Sequence, residues 1–499
     1  MKKLLIQRSS WVDSDRQHER GVTMIMVALA MVAIIAMAAL SIDVVTLYLA
    51  REEAQRSADS AALAAAKIIS LSGLTGDPAN STSNWVRVCG PDNGTDGLAT
   101  RVAKAVASQD AVGGLAATTV NVTYSAGNGE TIGAGVTDCS GLASSAFGVN
   151  PLVTVQLTRT NLPSFFSRIW GNTGNQVSAT ATAEAFNPSN SGTVGNQTTG
   201  TIVPVQPRCV KPWVVANKNP LATFPCDESG QPGCDALVDT GTGQIQHPGV
   251  SLGGTTTSTG IIGETFWLTP DCRITNSSSC TVRNPPQANW VGIGFPYIEG
   301  PPNLLYVPGQ VGTTPIAVPS SCGGDAYQDA IAGCDQPTNY SCGVPPASAS
   351  FPNTVDLSIN PVAATVAGVQ CITHQTNTSD LASSSGQDSL NPFAAPAAYP
   401  FQMLAGSGNP TGLHGTPVST SSSVVSLPIY DSTQSLNATG QTQVTFVGFL
   451  QIFINAVDQY GNMKVTVLNV AGCGNGSGGL PGQPQLGNSP VPVRLITPP

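Results

Sequence analysis

From Gly21 to Leu49 the chain reads GVTMIMVALAMVAIIAMAALSIDVVTLYL, and Val22 to Ile42 is 21 residues without a charge. At 1.5 Å per residue that length crosses a hydrocarbon core of about 30 Å. No other apolar run in the chain approaches it. The helical pattern continues past Asp43. Ala50, Ala54, Ala58, Ala62 and Ala66 recur at i+4 steps, beside a row of Ser57, Ala61 and Ala65. Such rows share one helix face, and small residues there let a second helix come close. No Pro or Gly interrupts Val22 to Leu71, which predicts one continuous helix of about 50 residues ended by Gly73 and Gly76-Asp77-Pro78. Two readings of the alanine rows stay open: a plain stalk of high helix propensity, or a face that packs on a partner.

Beyond the stalk the period changes. Leu98 to Asp110 has the spacing of a short amphipathic helix. Val120–Tyr124, Leu152–Thr158 and Gln176–Phe186 alternate as strands, the last with Val177, Ala179, Ala181, Ala183 and Ala185 on one face. Residues 187–203 form a Gly/Ser/Thr/Asn linker. From Pro204 onward short apolar runs stand among long Pro- and Gly-rich connections. The strand candidates are Trp213–Ala216, Gly260–Leu268, Trp290–Ile293, Leu304–Val307, Ile316–Val318, Ala367–Thr373, Val424–Ile429, Val444–Ile454 and Lys464–Val470. Their short length and irregular spacing predict a sandwich or an irregular β domain. Residues 375–406 lack periodicity and read as a mobile excursion. Residues 474–499 read as a flexible tail in which VPVRLI has the pattern of one edge strand.

Charge sets the orientation. Residues 1–20 hold five Lys or Arg against three acids, a net of +2, while the whole chain carries −9. An excess of cations on the short side of a span places that side in the cytoplasm and the remainder outside. The alternative is a cleaved signal peptide, for which Ala36-Met37-Ala38 fits the small-x-small site. Only 10% of residues are charged, with 53 Gly and 38 Pro. Typical soluble domains carry about 25% charge, so the outer part reads as β-rich and loop-rich. An acidic chain outside the cytoplasm is not expected to bind nucleic acid.

All twelve cysteines lie beyond the span. An even number in an oxidising compartment is first read as disulfides. Cys226 and Cys234, Cys272 and Cys280, and Cys334 and Cys342 share one spacing around polar, turn-forming interiors. Each pair is expected to close its own small loop, worth about 2.5 kcal/mol in the chain-entropy model. Cys89 and Cys139 form a further candidate bridge. There is no C-x-x-C and there are only four His, so neither a metal nor any other cofactor is expected.

The stretch RGVTMIMVALAMVAIIAMAALSIDVVTLYLAREEAQRSADSAALAAA resembles the N-terminal segment of TadG-like proteins of the Tad/Flp pilus-assembly machinery. The matching positions are Arg20, Gly21, Asp43, Gln55, Ala58, Asp59, Ala61, Ala62, Leu63 and Ala64. The order V-x-V, Pro-x-Phe-Phe and an alternating Ala/Thr strand in residues 85–186 is also similar to the small domain that follows the anchor in these proteins. The same holds for the ending, from VSLPIYDST to PVRLI. The start resembles a type IV pilin as well, but the fifth residue after Gly21 is Met26 where that family has Glu. That departure favours a permanent anchor over a filament subunit.

Three stretches invite a catalytic reading. Leu237–Thr242 (LVDTGT) matches an aspartic-protease loop at Asp239, but that chemistry needs two carboxylates sharing a proton and no second Asp-Thr/Ser-Gly exists. Gly249–Gly253 is a G-x-S-x-G around Ser251, followed by GTTTSTG where the motif requires a helix. Asp431–Ser435 (DSTQS) resembles the metal-binding start of a von Willebrand A domain, with too little chain after it for that fold and a better reading as a strand-end turn.

The expected architecture is α+β. It has a cytoplasmic tail (1–20), a transmembrane helix and Ala-rich stalk (21–72), a small α+β domain (73–186), a linker (187–203), a disulfide-rich and mainly β ectodomain (204–473), and a tail (474–499). The resemblance implies a non-enzymatic structural component of a Tad-type pilus or related secretion apparatus in the bacterial inner membrane. Its expected partners are other assembly proteins, with self-association through the Ala-rich helix. An anchored hydrolase at Asp239 and a surface adhesin or pseudopilin are the alternatives.

Overall fold

The computed structural model describes residues 12–76, 86–91, 96–126, 135–143, 147–164, 166, 171, 174–187, 205–218, 236–241, 243–246, 261–271, 303–312, 317–334, 340–343, 353–394, 397–418, 420–436, 440–473 and 485–496. Helix α1 (Val12–Leu71) is followed by α2 (Val86–Cys89), α3 (Leu98–Gln109) and strands β1 (Thr119–Ala126), β2 (Pro151–Leu162) and β3 (Asn175–Ala185). Then come β4 (Val205–Pro207), β5 (Trp213–Ala216), β6 (Thr265–Pro270), β7 (Asn303–Pro308), α4 (Ala326–Ala332), β8 (Thr354–Asp356) and α5 (Pro361–Thr373). The chain ends with β9 (Ser389–Ala394), β10 (Ala397–Leu404), β11 (Pro417–Val418), β12 (Val424–Tyr430), β13 (Gln441–Gln443), β14 (Phe446–Val457), β15 (Met463–Gly472), β16 (Gln485–Gly487) and β17 (Val493–Ile496).

Two compact units emerge. The first holds residues 1–58, 107–120 and 156–180; the second holds 59–106, 121–155 and 181–499. The uninterrupted pattern of helix formers yields a single helix of 60 residues, longer than the expected 50 because it begins at Val12. Its end is built by chemistry visible in the sequence. Ser72 N–H reaches the Ile68 carbonyl, and Ser72 Oγ donates to the Ile69 carbonyl at 2.7 Å. Gly73 follows at φ +76°. A Cβ there would sit 2.2 Å from Ile262 Cγ2, so glycine is required by backbone and by space.

Strands β1, β2, β3 and β17 form a four-stranded sheet in that order. VPVRLI does supply an edge strand: β17 runs antiparallel to β3 with Arg494 opposite Glu184. Arg494 Nε lies 2.8 Å from Glu184 Oε2, and Asn150 Nδ2 donates to Oε1 at 3.0 Å. The Cys89–Cys139 bridge forms as expected.

The β-rich part of the second unit is a closed barrel of β12, β14, β15, β6, β7 and β5, not a sandwich. Pairs β6–β7 and β5–β12 are parallel and the other four antiparallel. Parallel partners come from distant stretches of chain, so no hairpin pattern announces them. Nearly every side chain of β14 and β15 is buried, which is why both read as continuous apolar runs. Val214, Val307, Tyr340, Tyr430, Phe446 and Phe449 pack in one core cluster. Trp213 meets Tyr306 edge-on with centroids 6.5 Å apart.

Three further expectations are corrected. Ala367–Thr373 is not a strand but the end of α5. Asn360 caps that helix, accepting Val362 N–H at 3.1 Å, and Pro361 occupies its first turn. Its buried positions, Pro361, Ala364, Thr365, Gly368, Val369 and Ile372, follow helical spacing. Among the described residues of 375–406, β9 and β10 pair, with Met403 opposite Leu390. Buried Asp388 holds this segment, accepting from Gly406 N, Asn409 Nδ2 and Ser421 Oγ. Ala317 and Val318 lie in no strand; Ile316, Trp290–Ile293 and most of the 187–203 linker fall outside the described residues.

Cys334 and Cys342 are both in disulfides, but not with each other. The bridges are Cys209–Cys334, Cys322–Cys371 and Cys342–Cys473, spanning 125, 49 and 131 residues. For Cys334 and Cys342 equal spacing did not identify partners: tertiary packing brings distant stretches of chain together, and closing loops this long constrains the unfolded chain by about 4–5 kcal/mol each in the chain-entropy model. Cys226, Cys234, Cys272 and Cys280 fall outside the described residues.

Candidate functional site

The motif residues ride on α1. Arg20 and Gly21 lie in the helix, with their side chains outside the description. From Val22 to Leu49 most large apolar side chains are exposed, among them Met26 at 67% and Tyr48 at 66%. Ala39 and Asp43 are buried, at 6% and 3%. The Asp43 carboxylate accepts the Phe166 backbone N–H, 3.1 Å from Oδ2 and 3.4 Å from Oδ1. A carboxylate at the end of a span is costly unless it finds donors, and the Pro-x-Phe-Phe turn supplies one from within the chain.

Further along, Glu53 Oε2 accepts Gly113 N–H at 2.7 Å and Gln55 Nε2 donates to the Thr180 carbonyl at 3.2 Å. Ala54 and Ala58 in the first unit, and Ala61, Ala62, Ala65 and Ala66 in the second, are all fully buried. The small-residue face is therefore covered within the chain itself. Asp59 and Leu63 are half-buried.

Beside the helix lies a groove of about 370 Å³, lined by Val44, Leu47, Tyr48 and Arg51 of α1 and by Gln176 and Ser178 of β3. Its floor is apolar toward Val44 and Leu47 and polar toward Arg51.

Asp239 and Asp431 are each held in a local turn. Asp239 sits in a tight hairpin in which Val238 bridges Ile245, and its Oδ1 accepts Gly241 N–H at 2.9 Å. Asp431 Oδ1 accepts from Thr433 N and Thr433 Oγ1, the strand-end turn its sequence favours. Ser251 lies outside the described residues. Among the described residues no group of three His, Cys, Asp or Glu could hold a metal ion.

Several buried polar residues went unflagged by sequence reasoning. Asn469, fully buried in β15, donates to the Ser70 carbonyl at 2.7 Å and to Thr75 Oγ1 at 3.2 Å. Asn187 Nδ2 donates to the Thr75 and Val470 carbonyls. Lys211 reaches the Gly333 carbonyl at the end of α4, and burial pushes its ammonium down to about 8. Burial raises the Asp458 carboxyl to about 6, against the opposing pull of hydrogen bonds from Asn462 and Tyr460. The available signal was an Asn, Lys or Asp inside or beside an apolar strand run.

The family model described as "Putative Flp pilus-assembly TadE/G-like" matches residues 21–67. No curated protein and no solved structure matches the chain.

Proposed function

We propose, from the premise that residues 21–67 are a TadE/G-like segment of the Flp pilus-assembly family, that this chain is a membrane-anchored structural component of a Tad-type pilus or a related secretion apparatus. It spans the bacterial inner membrane once, N-terminus in the cytoplasm, with its bulk periplasmic or exported. It acts through contacts with other assembly proteins and performs no catalytic step.

One observation carries this reading: α1 divides its surface by length. Its first part exposes apolar side chains from Val22 to Leu49, as a helix in lipid does, and its second part buries an alanine face from Ala50 onward. The cationic balance of residues 1–20 supports the orientation, and four described disulfides suit an oxidising compartment. Against the hydrolase alternative stands the Asp239 carboxylate, engaged by its own turn.

The test is crosslinking in intact cells followed by purification from membranes. Capture of pilus-assembly proteins, with protease reaching the bulk of the chain only after the outer envelope is opened, is the expected result. A chain that captures none of them and hydrolyses peptides in an Asp239-dependent way would overturn the proposal.

A further inference from the structure

We infer that the groove beside residues 44–51 of α1 is a binding site for an anionic glycerophospholipid, with its phosphate on Arg51 and the start of one acyl chain along Leu47 and Val44. This rests on the reading of α1 as a membrane anchor.

Depth is the first support. Val22 to Leu49 spans about 42 Å of helix, the thickness of a hydrocarbon core with both interfacial layers. The outer interface therefore falls at the groove. Tyr48 is 66% exposed at that level, where amphipathic aromatic rings settle. Arg51 lies one turn further, and side chains on a helix lean toward its N-terminus, here toward the membrane. A long cationic side chain leaning that way reaches the phosphate layer.

Charge is the second. Arg51 is exposed and has no hydrogen bond or ion pair among the described residues. The acids next to it are engaged elsewhere: Glu52 lies 3.8 Å from Arg56, and Glu53 accepts the Gly113 N–H. A guanidinium unpaired among the described residues, with the exposed Gln176 amide across the groove, matches a phosphodiester anion.

Lining is the third. The groove holds about 370 Å³, and its lining is graded from apolar to cationic as a lipid is.

The experiment uses the full-length chain in nanodiscs of equal phosphatidylglycerol and phosphatidylcholine, released into native mass spectrometry. The wild type is expected to retain about one phosphatidylglycerol in preference to phosphatidylcholine. Arg51→Gln should reduce that adduct at least fivefold, as should Leu47→Trp, which fills the apolar end. Arg51→Lys should restore most of it, and Arg56→Gln should leave it unchanged. Equal retention by Arg51→Gln, or no preference between the two lipids, overturns the inference while leaving the anchor intact. Vesicle flotation separates the two claims: a chain that does not float overturns the anchor reading and this inference with it.

Discussion

Asn469 caps Ser70: the side-chain amide of a barrel strand donates at 2.7 Å to a carbonyl in the last turn of α1, 399 residues away in sequence. The last four carbonyls of a helix have no partner inside it. Here Ser72 serves Ile68 and Ile69, and Asn469 serves Ser70. Asn469 also belongs to a buried polar row, since Ser426 stands opposite Gln451 and Gln451 opposite Asn469. Gln451 binds Ser489 Oγ and Ser426 binds the Asn488 carbonyl. The row fixes the end of α1 and the returning C-terminal segment on the same three strands.

Replacing Asn469 by Leu leaves the Ser70 carbonyl buried without its donor. The expected loss is about 2 kcal/mol, read as a lower apparent Tm of the full chain in detergent. Asn469→Asp, which cannot donate, should lose at least as much. A Tm unchanged in both variants would show that the cap contributes nothing.

The long helix, α3, β1–β3 and most barrel strands were legible because each carries its own period or a dense apolar run. The helix at Pro361–Thr373 was also written in the sequence, as Asn360-Pro361 followed by apolar residues at i+3 and i+4, but the β-branched run at its end drew a strand reading. Barrel closure was not legible, because its parallel pairs join residues such as Trp267 and Asn303 across long connections. At the site, Asp43 was legible as a charge at the membrane exit; its donor, a backbone N–H at Phe166, has no side-chain signature. The Cys89–Cys139 bridge was legible, whereas the partners of Cys334 and Cys342 were hidden for the same reason as the barrel.

Asp43→Ala removes the acceptor of the Phe166 N–H, whereas Asp43→Asn keeps an oxygen there. A hydrogen bond to a charged group contributes about 1.5–3 kcal/mol, so amide exchange at Phe166 should accelerate tenfold or more in the Ala variant. The Asn variant should fall between it and the wild type. Measurement in nanodiscs by hydrogen exchange checks this, and equal exchange in all three would mean the turn is held by other contacts.

The disulfide connectivity predicts a specific peptide map. Cleavage at Asp335 separates Cys334 from Cys342 in the sequence. Without reductant, the Cys334 peptide should remain joined to that of Cys209, and the Cys342 peptide to that of Cys473. A Cys334–Cys342 linkage would contradict the barrel geometry. Replacing Cys342 and Cys473 together by Ser should cost about 2–5 kcal/mol, visible as a large drop in Tm.

Asp458 predicts a pH dependence. It is 3% exposed at the turn between β14 and β15, and burial lifts its carboxyl from 3.8 to about 6. The folded chain therefore holds this proton more tightly than the unfolded chain. The stabilisation from binding it is fully present below about pH 4 and is lost as pH rises through 6, a swing of about 3 kcal/mol. The neighbouring geometry accommodates the protonated form. Oδ1 accepts Tyr460 and Asn462 N–H, Oδ2 accepts Asn462 Nδ2, and Asn462 Oδ1 is buried with no partner among the described residues. If the Asn462 amide turns end for end, a proton on Oδ2 is donated to that oxygen. Asp458→Asn offers the same donor at every pH. It should therefore be more stable than the wild type at pH 7 and converge with it near pH 4, where other carboxylates act equally on both. Chemical denaturation across that range measures the difference, and parallel curves for the two proteins would show that Asp458 titrates alike in the folded and unfolded chains.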